Sequence, residues 1–191
     1  MRLILASNSP RRLELLRNAG IDFEVFPSNA QEILREGESP EDFSRRVACE
    51  KALDVAGRFP PGTIVLGADT IVVAEGQILG KPSSAEEAQR FLRLLSGATH
   101  RVITGICLAR SPHEAVAMEH KVTLVTFRRL DEYEIIQYVH SGEPMDKAGA
   151  YGIQGLASKF ITRIEGCYFN VVGLPVARVW AILKSLPEWR P

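Results

Sequence analysis

Cysteine is scarce in this chain, and no two cysteines lie close together in sequence. Cys49, Cys107 and Cys167 form no CxxC pair, and an odd count is a poor disulfide framework. They read as three small buried hydrophobes of a protein kept in a reducing compartment. Net charge is also missing, since 23 Lys and Arg are matched by 23 Asp and Glu. A general nucleic-acid binder needs a basic excess, so nucleic acid is excluded as a partner and any anion site must be a local cluster. No apolar run approaches the ~18 residues of a membrane span. The apolar stretch at residues 3–6 is too short for a signal-peptide core, so a cytoplasmic protein without a membrane partner is expected. Repeats, low-complexity tracts and linkers are absent, and no segment fits the GxxxxGK[ST] phosphate loop.

What remains is an ordinary globular composition, 46% hydrophobic and 24% charged. That excludes a disordered chain. A chain of 191 residues buries about 70% of its unfolded surface, enough for a single domain over residues 1–191. Residues 2–6 read as a buried strand. Ser9 then N-caps a helix with Pro10 at its first position, Leu13, Leu16 and Ala19 on its inner face, and Gly20 as its stop. Residues 23–26 alternate like a strand, and residues 27–38 are polar and irregular. Ser39 to Asp42 form a capping box for a helix that buries Phe43, Val47, Ala48, Ala52 and Val55. Residues 63–66 and 70–74 read as two strands split by Gly67-Ala68-Asp69, and Glu75-Gly76 as a hairpin turn into residues 77–79. Ser84 and Glu87 cap a further helix, and Asp131 and Glu134 another. Long strands are predicted at residues 102–109 and 116–127, a shorter one at 160–164, and a closing helix at 175–186. Strands and helices mix without strict alternation, which predicts a mixed α/β (α+β) fold around one substantial sheet.

Several loops carry chemistry. Ser7-Asn8-Ser9-Pro10-Arg11-Arg12 stands at a strand–helix junction, where free N–H groups and the helix dipole suit an anion and arginine forks match phosphate oxygens. A capped helix with two solvated arginines explains the same residues. Asp69 is the one acid in the apolar stretch 63–74, placed for a base or a metal ligand, or for an ordinary turn. Lys81, between Gly80 and Pro82, and Lys51, bordering a buried helix face, suit phosphate. Their alternatives are a solvated lysine and a snorkelling stem. Glu32 lies in a loop. Residues 148–155 hold Gly149, Gly152 and Gly155, which implies a close approach by a ligand or a neighbouring strand; there Tyr151 offers a stacking ring and Gln154 an amide.

Taken in order, Ser7-x-Ser9-Pro10-x-Arg12, Ala48-x-x-Lys51-Ala52, Gly67-Ala68-Asp69-Thr70, Gly80-Lys81-Pro82, Leu95-Ser96-Gly97 and the stretch 148–155 resemble the Maf family of nucleotide pyrophosphatases over essentially the whole chain. The resemblance implies an elongated two-lobed fold around a long mixed sheet, similar to the inosine triphosphate pyrophosphatases, with the cleft as active site. It implies hydrolysis of a nucleoside triphosphate to the monophosphate and pyrophosphate with a divalent cation, Mg²⁺ or Mn²⁺. Arg11, Thr70 and Gln154 are similar to the dTTP/UTP-specific branch. By the same resemblance Asp69 is the proton acceptor and a metal ligand with Glu32. Ser7, Ser9, Arg11, Arg12, Lys51, Thr70, Lys81 and Gln154 bind the substrate. Gln31 departs from the many members that carry a second acid before Glu32. Two other readings stand beside this one: a nucleotide-binding regulator of cell division with little turnover, and a pyrophosphatase of the methylated-GTP branch. A homodimer is compatible with this reading.

Overall fold

The computed structural model describes residues 2–187 and 189. In chain order the elements are β1 (Leu3–Leu5), α1 (Pro10–Asn18), β2 (Glu24–Val25), α2 (Pro40–Ala56), β3 (Ile64–Ala74), β4 (Gln77–Leu79), α3 (Ala85–Leu95), β5 (Thr99–Arg110), β6 (Glu114–Phe127), α4 (Glu132–His140), β7 (Ile161–Glu165), α5 (Tyr168–Val172) and α6 (Val176–Ser185). One seven-stranded sheet runs in the order β2-β1-β3-β5-β6-β7, with β4 paired to β3. β1 is parallel to β2 and β3, whereas β4 on β3 and β7 on β6 are antiparallel. The sheet is therefore mixed, as the irregular succession of elements predicts. Two compact units share the chain: one holds residues up to Asp69, Thr104–Lys121 and those from Gly173 on; the other holds Thr70–Ile103 and Val122–Val172.

In the first unit α2 is the central helix. Ser39 Oγ accepts the Asp42 N–H at 3.1 Å and donates to the Asp42 carboxylate at 2.6 Å, and Pro40 opens the first turn. Ser44, Ala48, Ala52 and Ala56, spaced by four, are all fully buried. Their small size lets the helix lie directly on the strands. A Cβ at Gly67 of β3 would fall 2.1 Å from Ala48 O and 2.8 Å from Ala52 N, and one at Gly105 of β5 would fall 2.1 Å from Ser44 O. The split expected at Gly67-Ala68-Asp69 is thus not there: β3 is unbroken from Ile64 to Ala74. Gly67 serves close approach rather than a turn. α1 departs from its expected stripe, burying Arg12, Leu15 and Leu16, with Leu13 half-buried and Ala19 exposed. Cys107 is buried in the core cluster with Cys49 packed against it, and burial pushes the Cys107 thiol up. Cys49 and Cys167 are only half-buried, so the expectation of three buried cysteines is corrected to one.

In the second unit Glu75 and Gly76 both take positive φ, 48° and 75°, as a two-residue hairpin turn requires. Asp131 and Glu134 complete a reciprocal capping box at α4. At α3 the box is half made: Ser84 accepts the Glu87 N–H at 3.2 Å, but the Glu87 carboxylate reaches back to Ser83 N at 2.9 Å. His100, Phe127 and Tyr151 pack edge to face on one another, with ring centroids 4.8–5.4 Å apart; Phe160 packs edge to face on Tyr138 at 5.3 Å and tilted on Phe127 at 6.1 Å. α5, which no pattern in the sequence marks, seats the buried Asn170, whose amide donates to Val102 O and Thr123 Oγ1, both at 3.1 Å.

Two outcomes are expected. Gly67→Ala forces α2 off the sheet and lowers unfolding free energy by about 1–3 kcal/mol or more. Gly57→Ala, where a Cβ meets only the His113 side chain at 2.8 Å, stays within about 0.5 kcal/mol; chemical denaturation of both variants checks this. His100 is buried, with Nε2 on Tyr151 OH at 2.8 Å, and burial lowers its pKa to about 4. As pH falls from ~6.5 to ~4 the unfolded chain takes a proton that the native state refuses, so stability is lost with acid, in total about 3 kcal/mol. In His100→Gln the pH dependence of unfolding over that window should flatten by up to ~1.4 kcal/mol per pH unit.

Candidate active site

The seating of α2 on Gly67 decides what stands beside Asp69. Asp69 is 4% exposed and is the one acid on an otherwise apolar strand. Lys51 lies between Ala48 and Ala52, the residues that cover Gly67, and its Nζ donates to Asp69 Oδ1 at 2.8 Å. The same Nζ donates to Glu32 Oε1 at 2.5 Å, so one ammonium joins two carboxylates from different parts of the chain. Side-chain exposures are 11% for Lys51 and 6% for Asp69, which leaves little solvent to screen the pair. Lys51 is therefore no snorkelling stem: its charged head, not only its methylenes, is inside. Asp69 Oδ2 is buried with no hydrogen-bond partner. An ionised oxygen left so is costly in a protein that gains nothing from it.

At the start of α1, Ser9 occupies the N-cap position, but its hydroxyl accepts no helix N–H. Capping therefore does not explain the serines. Ser7 Oγ accepts the Ser9 N–H at 3.2 Å and an Arg12 Nη1–H at 3.3 Å. Arg12 is buried and donates from Nε to Gly173 O at 2.8 Å. Burial holds its guanidinium below the ordinary arginine value, against the attraction of Asp69 and Glu32 and with the help of Arg11. Ser7, Ser9, Arg11, Arg12, Glu32, Lys51 and Asp69 thus fall in one electrostatic neighbourhood of the first unit.

The remaining residues are in the second unit. Thr70 follows Asp69 on β3 and is half-buried; Lys81 and Gln154 are exposed. The segments that carry Lys81 and Gln154 are tied together, because Gly149 N donates to Gly80 O at 3.1 Å. Gly149 has φ +69°, and a Cβ there would lie 2.8 Å from Val72 Cγ2, so only glycine fits. Tyr151 is buried among the aromatic rings and is no stacking platform, contrary to expectation. Sequence reasoning missed Glu143. Its carboxylate accepts Tyr138 OH at 2.9 Å and Leu156 N–H at 3.0 Å, and it fills the space beside Gly155, next to Gln154. An acid among turn residues carries no signal of that duty.

Glu32 and Asp69 supply hard oxygen donors, and the unpartnered Asp69 Oδ2 is a lone-pair site awaiting a donor or a cation. The residues therefore fit Mg²⁺ or Mn²⁺. Among the described residues no three His, Cys, Asp or Glu side chains gather in one place. A cation here would take the rest of its shell from phosphate oxygens and water.

The fold is similar to that of a HAM1 protein from Coxiella burnetii, 19% identical over 97% of this chain and 100% of that one, with a TM-score of 0.50. Within that fold class the sequence is more specific. Residues 2–186 match the family described as Maf-like protein, and the chain belongs to the Maf family. It is 51% identical over 184 residues, 96% of this chain and 94% of the relative, to a dTTP/UTP pyrophosphatase of Koribacter versatilis (strain Ellin345). It is 51% identical over 183 residues, 96% and 93% of the two chains, to a dTTP/UTP pyrophosphatase of Symbiobacterium thermophilum. Among the described residues no helix is long and apolar enough to cross a membrane.

The buried pair makes a stability prediction. Lys51→Met leaves Asp69 facing an apolar group and should cost about 3–5 kcal/mol. Lys51→Met combined with Asp69→Asn removes both charges and should recover most of that loss; additive losses in chemical denaturation would show that the two side chains do not interact.

Proposed function

We propose that the chain hydrolyses dTTP and UTP to the nucleoside monophosphate and pyrophosphate, by attack of water at the α-phosphorus. The observation that carries this reading is Asp69: a buried strand carboxylate with one oxygen held by Lys51 and the other unpartnered. Such a group is oriented yet retains a lone pair for a proton. The names and the identity of the relatives support the substrate class.

Asp69 orients the water through its carboxylate and accepts its proton. The new bond forms between the water oxygen and the α-phosphorus, and the bond from that phosphorus to the bridging oxygen breaks. Charge then collects on the departing pyrophosphate, and Lys51, Arg12 and Lys81 offset it. Ser7, Ser9 and Arg11 hold phosphate oxygens at the positive end of the α1 dipole. Glu32 and Asp69 would hold Mg²⁺ or Mn²⁺, which when bound supplies Lewis-acid polarisation of the phosphoryl oxygens. Thr70 borders the sugar or base. Gln154 presents an amide donor and acceptor side by side, matching N3–H and O4 of uracil and thymine and reversed for cytosine. The glycines make room for Val72, Lys147 and Glu143, which pack against the turn that carries Gln154.

The test is pyrophosphate release from dTTP, UTP, CTP, GTP and methylated GTP with Mg²⁺ or Mn²⁺. Turnover is expected with dTTP and UTP, and Asp69→Asn should lower kcat by about 10²–10⁴-fold with the fold kept. Nucleotide binding without turnover by the unmodified chain would favour a regulator, and preference for methylated GTP would favour the other branch.

A further inference from the structure

Glu32 belongs to a segment, residues 27–38, without regular structure. Its largest apolar side chains there, Ile33 and Leu34, are exposed, so burial does not hold the segment in place. Polar bonds from α2 do. At one end Asp54 Oδ2 accepts Ser28 Oγ–H at 2.8 Å and Asn29 N–H at 2.9 Å. At the other end the bonds converge on Arg46. Its Nη2 donates to Ile33 O, the carbonyl after Glu32, at 2.8 Å. Nε and Nη2 fork onto the Glu38 carboxylate at 2.6 and 2.7 Å, and Nη1 donates to both Glu50 oxygens at 3.1 and 2.9 Å. Every N–H a guanidinium offers is thereby used, a geometry lysine cannot reproduce. The fork is largely shielded, with side-chain exposures of 17% for Arg46 and 10% for Glu38. Arg46 lies five residues before Lys51 on the same helix, so α2 carries both the group that Glu32 meets and the clamp that brings Glu32 to it.

We propose that Arg46 is a positioning residue for the reaction: by gripping Ile33 O and Glu38 it fixes the segment so that the Glu32 carboxylate meets Lys51. This rests on the reading of Glu32 as a cation-binding carboxylate. Partners that orient a metal-binding side chain typically matter by about 10- to 100-fold in metal affinity or activity. A merely structural ion pair would instead lower stability and leave the cation dependence alone.

The experiment combines Arg46→Lys, Glu38→Gln and Glu32→Gln. In Arg46→Lys the Mn²⁺ concentration for half-maximal UTP hydrolysis should rise about 10- to 100-fold. KM for UTP at saturating Mn²⁺ should stay within about 2-fold. Hydrogen exchange of the protein without metal should quicken at amides 28–36, while α2 amides keep their protection. Glu38→Gln, which opens the fork from the other side, should act in the same direction and serves if Arg46→Lys does not fold. With Glu32→Gln already present, Arg46→Lys should add less than about 2-fold to the Mn²⁺ requirement. Equal losses with and without Glu32, or faster exchange across α2 as well, would overturn the positioning role. If Glu32→Gln alone leaves the Mn²⁺ requirement unchanged, the reading of Glu32 is the part that fails; the exchange data then show separately whether Arg46 holds the segment.

Discussion

The structure of the first unit depends on one close approach, that of the α2 backbone to the strands at Gly67 and Gly105. A methyl group at either strand position would overlap helix backbone, and helix backbone cannot yield as a side-chain tip can. The stripe Ser44, Ala48, Ala52 and Ala56 supplies the other half of the fit. From this contact follow the burial of Lys51, its reach to Asp69, and the unbroken course of β3. Packing and chemistry share the same residues here, since the glycine that admits the helix lies two positions from the acid the helix addresses.

The charges so enclosed make little sense as a source of stability. A buried ion pair roughly breaks even against an apolar pair, and an ionised oxygen without a partner tips the balance to a loss. Asp69 Oδ2 is such an oxygen, and Arg12 is a buried guanidinium whose ordinary pKa is depressed by burial. These groups form a preorganised polar environment of the kind the proposed function requires for a polyanion. The apolar core around β1, α2 and β3 carries the stability that the site gives up.

Much of the fold was legible in the sequence because local chemistry dictates it. Ser39, Ser84 and Asp131 cap the helices they were expected to cap, and Glu75-Gly76 turns where its dihedral demands point. What misled was residue chemistry with two uses. Gly67 can serve a turn or a close approach, and only the position of α2 decides. Arg12 displaced Leu13 from the inner face of α1 because a buried anion neighbourhood waits there, which hydrophobic periodicity cannot register. Tyr151 looked like a ligand-stacking ring and is a core ring bonded to His100. Each predicted site residue occupies an identifiable place, but Arg46 and Glu143, beside them, carry no signal in the sequence. Their partners, Ile33, Glu38 and Glu50 for Arg46 and Tyr138 and Leu156 for Glu143, include loop backbone groups that no helical or strand spacing marks.

The small-residue stripe on α2 has a further consequence. Because its members repeat every four residues, the contact with the glycines discriminates poorly between neighbouring registers: advancing or retarding the helix by one turn again offers a small residue to Gly67. Such a shift would also bring Val47 or Val55 into the place of Lys51 and leave Asp69 enclosed without a cation. Lys51 therefore acts as a key for the packing of its own helix. In the four-residue row Phe43, Val47, Lys51 and Val55, the one charge adds its ion pair with Asp69 to the setting that the apolar side chains fix.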